Sequence, residues 1–179
     1  MSDPNPAEAE PLVSIAEGKH MRLVRRGRWE YAERRVASGA VVIIAVTREQ
    51  NLILIEQFRV PVGKRVIELP AGLVGDLEEI ADEDGADAAG RELIEETGYQ
   101  AKSVKLLTRG PISAGFGNEM IALYRATGVK KIAAGGGVEG ENIIIHEVPL
   151  ATVTTWLKRK ARAGVLIDPK IYAGLFFAQ

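Results

Sequence analysis

The stretch from Gly72 to Tyr99, GLVGDLEEIADEDGADAAGRELIEETGY, constrains this chain most, because it crowds acid onto a segment with helical spacing. Ten of the chain's 24 acidic residues fall between Asp76 and Glu96, against one basic residue, Arg91. On a helix Glu92, Glu95 and Glu96 stand at i, i+3 and i+4, so their carboxylates share a face. Like charges at that spacing repel by roughly 0.2–0.5 kcal/mol per pair, and a face meant only for solvent would interleave Lys. A bound cation removes the penalty: convergent carboxylates supply the hard oxygen ligands of Mg2+ or Mn2+, whose shells substrate phosphates usually complete. The plain alternative is a solvated acidic helix. Either way the helix is predicted from about Asp84 or Gly85 to Thr97, with Gly98 as its stop. Leu93 with Ala86, Ala88 and Ala89 makes the side that faces a core.

The rest of the composition narrows the classes. With 179 residues, 46% of them hydrophobic, one domain with a substantial core is expected. Lys and Arg number 23 against 24 acids, so no bulk positive field recommends nucleic acid or an anionic membrane as a partner. Cysteine is absent, which excludes disulfides and thiolate metal sites and suits a reducing, cytoplasmic home. The opening MSDPNPAEAE has no apolar core and reads as neither signal nor transit peptide. The longest strongly apolar run, Ala40 to Val46, has a buried strand's length, far below the roughly 20 residues of a spanning helix.

Residues 1 to 17 read as a flexible tail. Residues 18–38 follow as a β-hairpin, with apolar and charged residues alternating from Lys19 to Arg35 around Gly27, and 39–179 as the main domain. Gly39 to Thr47 and Leu52 to Phe58 are two strands of a central hairpin. Arg59 ends the second, and its guanidinium fork suits either a diphosphate or a surface ion pair. Gly72 lets backbone approach a ligand closely. Lys105 to Arg109 and Met120 to Ala126 read as further strands, joined by GPISAGFGNE. Gly135 to Gly137 is either an inert linker or the pliable part of a loop presenting Glu139 and Glu141. A strand from Ile143 to Val148, a helix over Leu150 to Ala163 and a last helix, capped by Asp168 and Pro169 and running through Phe177, complete the chain. His20 and His146 lack metal spacing and read as structural. Trp156, Phe176 and Phe177 read as core or dimer contacts.

The run RELIEETG, preceded at Gly72 by ELPAG, resembles the signature of the Nudix hydrolase family. Arg91, Glu92, Leu93, Glu95, Glu96 and Gly98 match that signature in order and spacing, and Tyr99 fills its last apolar position. Eighteen residues separate Gly72 from Arg91 where the family has thirteen, and the extra five are placed in the loop ahead of Glu83. The resemblance implies a Nudix α/β/α sandwich with a mixed sheet and an N-terminal antiparallel extension, exchanged between subunits of a homodimer. It also implies Mg2+-dependent hydrolysis of ADP-ribose or a related nucleoside diphosphate sugar, with GDP-mannose as the alternative and a non-catalytic ADP-ribose sensor as the alternative of another class. Carried over residue by residue, the metal ligands are the Ala71 carbonyl, Glu92, Glu95, Glu96 and Glu141. Glu139 is the general base, though the exchanged assignment with Glu141 satisfies the same pattern, and Glu96 is catalytic through its metal. Trp29 and Glu30 contribute to an adenine pocket, with a core role for Trp29 the even alternative. Arg59, Glu68 and Phe116 complete the substrate contacts, with packing under its loop the favoured alternative for Phe116. Gly72, Arg91 and Gly98 are structural within the motif.

Overall fold

Ala40–Ala45 is the strand around which the layers form, because AVVIIA has apolar side chains on both of its faces. Val41, Ile43 and Ala45 enter one buried cluster and Val42 and Ile44 another, so both sides of the sheet must be covered. The computed structural model describes residues 10–35, 39–75, 83–137 and 141–178. Its strands are β1 (Leu12–Glu17), β2 (Met21–Arg26), β3 (Trp29–Arg34), β4 (Ala40–Ala45), β5 (Asn51–Arg59), β6 (Lys64–Glu68), β7 (Ala71–Leu73), β8 (Tyr99–Gln100), β9 (Ser103–Pro111), β10 (Met120–Thr127), β11 (Lys130–Lys131), β12 (Ile144–Pro149) and β13 (Leu166–Ile167). The helices are α1 (Gly85–Thr97), α2 (Val153–Arg162) and α3 (Lys170–Ala178).

Two four-stranded sheets carry the core. One has the order β7-β4-β10-β9, with β4 and β10 parallel; the other has the order β12-β5-β6-β13. A bridge between Val46 and Leu52 ties them. Ala88, Ala89 and Leu93 of α1 cover the face presented by Val41, Ile43 and Ile53. Val153 and Leu157 of α2 and Ile171 of α3 cover the opposite face, presented by Val42, Ile44, Leu52 and Leu54. The result is a three-layer α/β/α sandwich with a mixed sheet, as expected, and α1 starts and stops at the expected residues.

At the N-terminus the structure corrects the reading of residues 1 to 17 as tail. Leu12–Glu17 is a strand paired antiparallel to β2, so the expected hairpin is a three-stranded sheet, β1-β2-β3. Composition hid it: LVSIAE is apolar enough for a strand, but its acidic, Pro-containing flank dominates the window. All six residues of β1 are exposed. Among the described residues no helix is long and apolar enough to cross a membrane.

Below α2, Glu56 is buried on β5 and accepts from Arg65 Nε at 2.8 Å, Lys160 Nζ at 2.8 Å and His146 Nε2 at 2.9 Å. Burial alone would raise its pKa, but the bonds from Lys160, His146 and Arg65 overcome that and hold it at about 2. His146 is itself pushed below its ordinary range, chiefly by burial, so near neutral pH it donates as a neutral imidazole. Its expected structural role is this bond.

Candidate active site

The site begins with the caps of α1. Asp84 accepts from the Ala86 N–H at 2.7 Å, and Gly98, at φ 74°, returns its N–H to the Ile94 carbonyl at 2.8 Å. Between these ends Arg91 reaches Glu83 through two bonds of 3.0 Å, and its Nη1 donates to Glu92 at 2.8 Å and Glu95 at 3.1 Å. The guanidinium offsets the like-charge repulsion on this face, the structural role expected of it. Glu83, at the end of the segment preceding the helix, is its main anchor.

On the next strand, Gly72 stands where a Cβ would fall inside the Glu92 carboxylate, so only glycine allows β7 and α1 to close this far. The same packing lets the Ala71 N–H donate to Glu96 Oε2 at 2.9 Å. Glu96 is 5% exposed. Burial pushes its carboxyl up to about 8, and the Glu92 and Glu141 carboxylates add to the rise, while the Ala71 bond and the charge of Arg59 act against it.

These groups share a cavity of about 490 Å3. Glu92, Glu96 and Glu141 give it an acidic wall; Arg34, Arg59 and Lys170 supply cations around it. Each cation is steadied by a carboxylate of its own: Arg59 donates to Glu68 at 2.8 Å, Arg34 pairs with Glu119, and Lys170 pairs with Asp168. Ala71, Gly72 and Glu68 also line this space. An acidic wall facing fixed cations suits a ligand that is itself anionic and arrives with a divalent ion.

Several expected residues stand elsewhere. Glu95 turns to Arg91 and is not among the residues lining the cavity. Trp29 and Glu30 line a second cavity of about 470 Å3, with Tyr31, Asn118 and Arg26. There the Arg26 Nε is buried without a hydrogen-bond partner among the described residues. Trp29 is 54% exposed, which removes the core alternative for it. Phe116 is 70% exposed and lines neither cavity; packing under its loop is likewise overturned, and what the residue contributes is its carbonyl, which accepts from the Ala32 N–H at 2.9 Å. Glu139 lies outside the described residues. Gly135, Gly136 and Gly137 are no inert linker: all three have positive φ, and the latter two donate backbone bonds to the end of α1.

Arg34, Glu119 and Lys170 were not expected as lining residues. Arg34 sits in a run of arginines whose members look alike in sequence, and Lys170 is brought in by α3 from far along the chain. Only Asp168 gave a local signal, as a cap, and its carboxylate does accept from the Lys170 N–H at 2.7 Å.

No three acidic or histidine side chains among the described residues already form a closed ligand set. The donors nevertheless suit a hard divalent cation. They are all oxygen, and burial of one carboxyl beside two others leaves an electrostatic cost that such an ion would relieve.

The family model of the NUDIX domain matches residues 37–164. A protein of Bacillus methanolicus named methanol dehydrogenase activator is 40% identical over 123 residues, covering 68% of this chain and 64% of its own. The ADP-ribose pyrophosphatase of Bacillus subtilis (strain 168) is 41% identical over 88 residues, 49% of this chain and 45% of its own. A GDP-mannose pyrophosphatase of Enterobacter sp. (strain 638) is 34% identical over 131 residues, 68% of this chain and 64% of its own. The chain thus spans less than two thirds of the length of these relatives. A solved structure described as an ADP compounds hydrolase superposes with a TM-score of 0.69 at 20% identity, covering 93% of this chain and 88% of that one, and shows the same fold. The matched residues take in β4 through α2, with the capped acidic helix and Glu141 among them, and the chain belongs to the Nudix family.

Proposed function

We propose that this protein hydrolyses the diphosphate bond of ADP-ribose or a related nucleoside diphosphate sugar, releasing a nucleoside monophosphate and a sugar phosphate. The observation that carries this is the single cavity joining the acidic wall of Glu92, Glu96 and Glu141 to the cations Arg34, Arg59 and Lys170.

Glu92, Glu96 and Glu141, with the Ala71 carbonyl, would hold Mg2+ or Mn2+, and Glu95 would join them by releasing its bond from Arg91. When bound, the ion supplies neutralisation of the diphosphate charge and a more acidic water. Arg59, braced by Glu68, orients one side of the diphosphate. Glu139 removes a proton from the water that attacks phosphorus, the P–O bond of the bridge breaks, and its electron pair leaves with the departing phosphate. No covalent enzyme intermediate is needed. The cavity of Trp29 and Glu30 offers an aromatic face and polar edges suited to a base. The exposed apolar residues of β1 and β2 support a homodimer with exchanged N-terminal strands. A cysteine-free chain suits a reducing cytoplasm.

GDP-mannose is the second reading, favoured by the longer match to a relative of that name. A non-catalytic ADP-ribose sensor would have no use for the full acidic wall. Product chromatography on ADP-ribose, GDP-mannose and other nucleoside diphosphate sugars, with and without Mg2+, tests the proposal. Metal-dependent appearance of a nucleoside monophosphate is the expected result; binding without turnover of any substrate contradicts it.

A further inference from the structure

The glycine run after β11 lies on the C-terminal end of α1, where the last carbonyls have no partner within the helix. Gly136 and Gly137 donate to the Glu96 and Glu95 carbonyls at 2.9 and 3.0 Å, and Ile132 and Ala133 donate to the Gly98 carbonyl at 2.8 and 3.2 Å. Backbone bonds therefore register this loop to the two residues whose side chains carry acid. Gly136 and Gly137 share a left-handed conformation, with φ of 110° and 85°, yet their surroundings differ. Nothing lies within 4 Å of a Cβ built on Gly136. A Cβ on Gly137 would overlap Glu141 Oε2 and come within 2.9 Å of both Glu141 Cβ and Ile143 Cδ1. The Glu141 carboxylate thus lies folded over Gly137 on its way to the cavity it shares with Glu92 and Glu96.

We propose that Gly137 is a positioning residue: the space left by its missing side chain seats the Glu141 carboxylate on the cation-binding wall. The link to a cation rests on the function proposed above, whereas the seat itself does not. Two substitutions separate the effects. Gly136→Ala imposes positive-φ strain with no new contact; Gly137→Ala imposes similar strain and displaces Glu141. Mn2+ titration of the substrate-free protein, followed by the EPR signal of free Mn2+, is expected to show Gly136→Ala close to wild type and Gly137→Ala weaker by roughly tenfold or more. In a Glu141→Gly background, which removes the carboxylate together with its Cβ, Gly137→Ala should change Mn2+ affinity no further, and its Tm loss should shrink to that of Gly136→Ala, since Ile143 Cδ1 ends a side chain that can turn aside. That background also keeps the test available if Gly137→Ala alone does not fold. Equal weakening of Mn2+ binding by both glycine substitutions, or a Gly137→Ala Tm loss that is the same with and without Glu141, would overturn the proposal. A wild type that binds no Mn2+ either alone or with ADP-ribose added would defeat the hydrolase reading, while the Tm comparison would still decide the seat.

Discussion

Glu96 and Glu56 are both buried carboxylates, and they differ in what surrounds them. Glu56 is met by Lys160, Arg65 and His146 and stays ionised; Glu96 is met by further carboxylates and a single backbone N–H, and its pKa rises to about 8. A satisfied carboxylate holds structure together, and an uncompensated one marks a place for a cation. Replacing Glu96 with Gln keeps its size and its bond from Ala71, so the variant should stay folded while turnover falls by roughly a hundredfold or more. Steady-state hydrolysis beside a thermal melt checks this, and near-normal turnover would remove Glu96 from the metal set. For Glu56 the folded pKa, about 2, lies below the ordinary 4.5. Its stabilisation is therefore complete above about pH 4.5 and is lost as pH falls toward 2, a contribution on the order of 3 kcal/mol. Melts of wild type and Glu56→Gln between pH 7 and pH 2 should converge at the acid end; a constant gap would contradict the ion-pair account. Residues of this scale were legible only where a motif fixed them. Glu92 and Glu96 were read from helical spacing and Arg59 from its place at a strand's end and the resemblance, but nothing local tells Arg34 from its neighbouring arginines or marks Lys170, since tertiary packing alone brings them to the cavity.

At the scale of elements, α1 was legible to the residue because its punctuation is chemical: Asp84 supplies the missing acceptor and Gly98 the left-handed turn. Gly98 has a second duty that sequence did not reveal. A Cβ there would overlap the Ala133 carbonyl, whose loop is docked on the helix end. Gly98→Ala should accordingly cost about 2 kcal/mol or more, lowering Tm by several degrees; a melt within a degree of wild type would show that the loop is not held there. Arg91→Ala would unlink Glu83 from α1 and remove the cation that pairs with Glu92 and Glu95. A loss of about 1–3 kcal/mol is expected, partly recovered by added Mg2+ if the ion takes over the neutralising role. Melts with and without Mg2+ measure both parts. β1 was missed for the opposite reason, since a short strand exposed throughout carries no burial pattern to read.

Across the whole molecule, the layering follows from one apolar run with buried side chains on both faces, which forces helices onto each side of the sheet. The N-terminal sheet does not share that economy: Leu12, Val13, Ile15, Met21 and Leu23 are all more than a third exposed. If a second copy covers them, sedimentation should give a dimer, and removal of residues 1–18 should give a monomer; a monomeric full-length chain would exclude the exchange. Subunit arrangement was not legible from one chain beyond the resemblance, because exposed apolar side chains do not say what covers them. The two cavities, one with the acidic wall and one with Trp29, leave the central question of whether a cation and a diphosphate occupy the former together. Anomalous diffraction from crystals grown with Mn2+ and a non-hydrolysable ADP-ribose analogue answers it most directly. A manganese peak bonded to the Glu92 and Glu96 carboxylates and to the analogue's diphosphate oxygens is predicted; those carboxylates facing bulk water, with the analogue bound elsewhere, would contradict it.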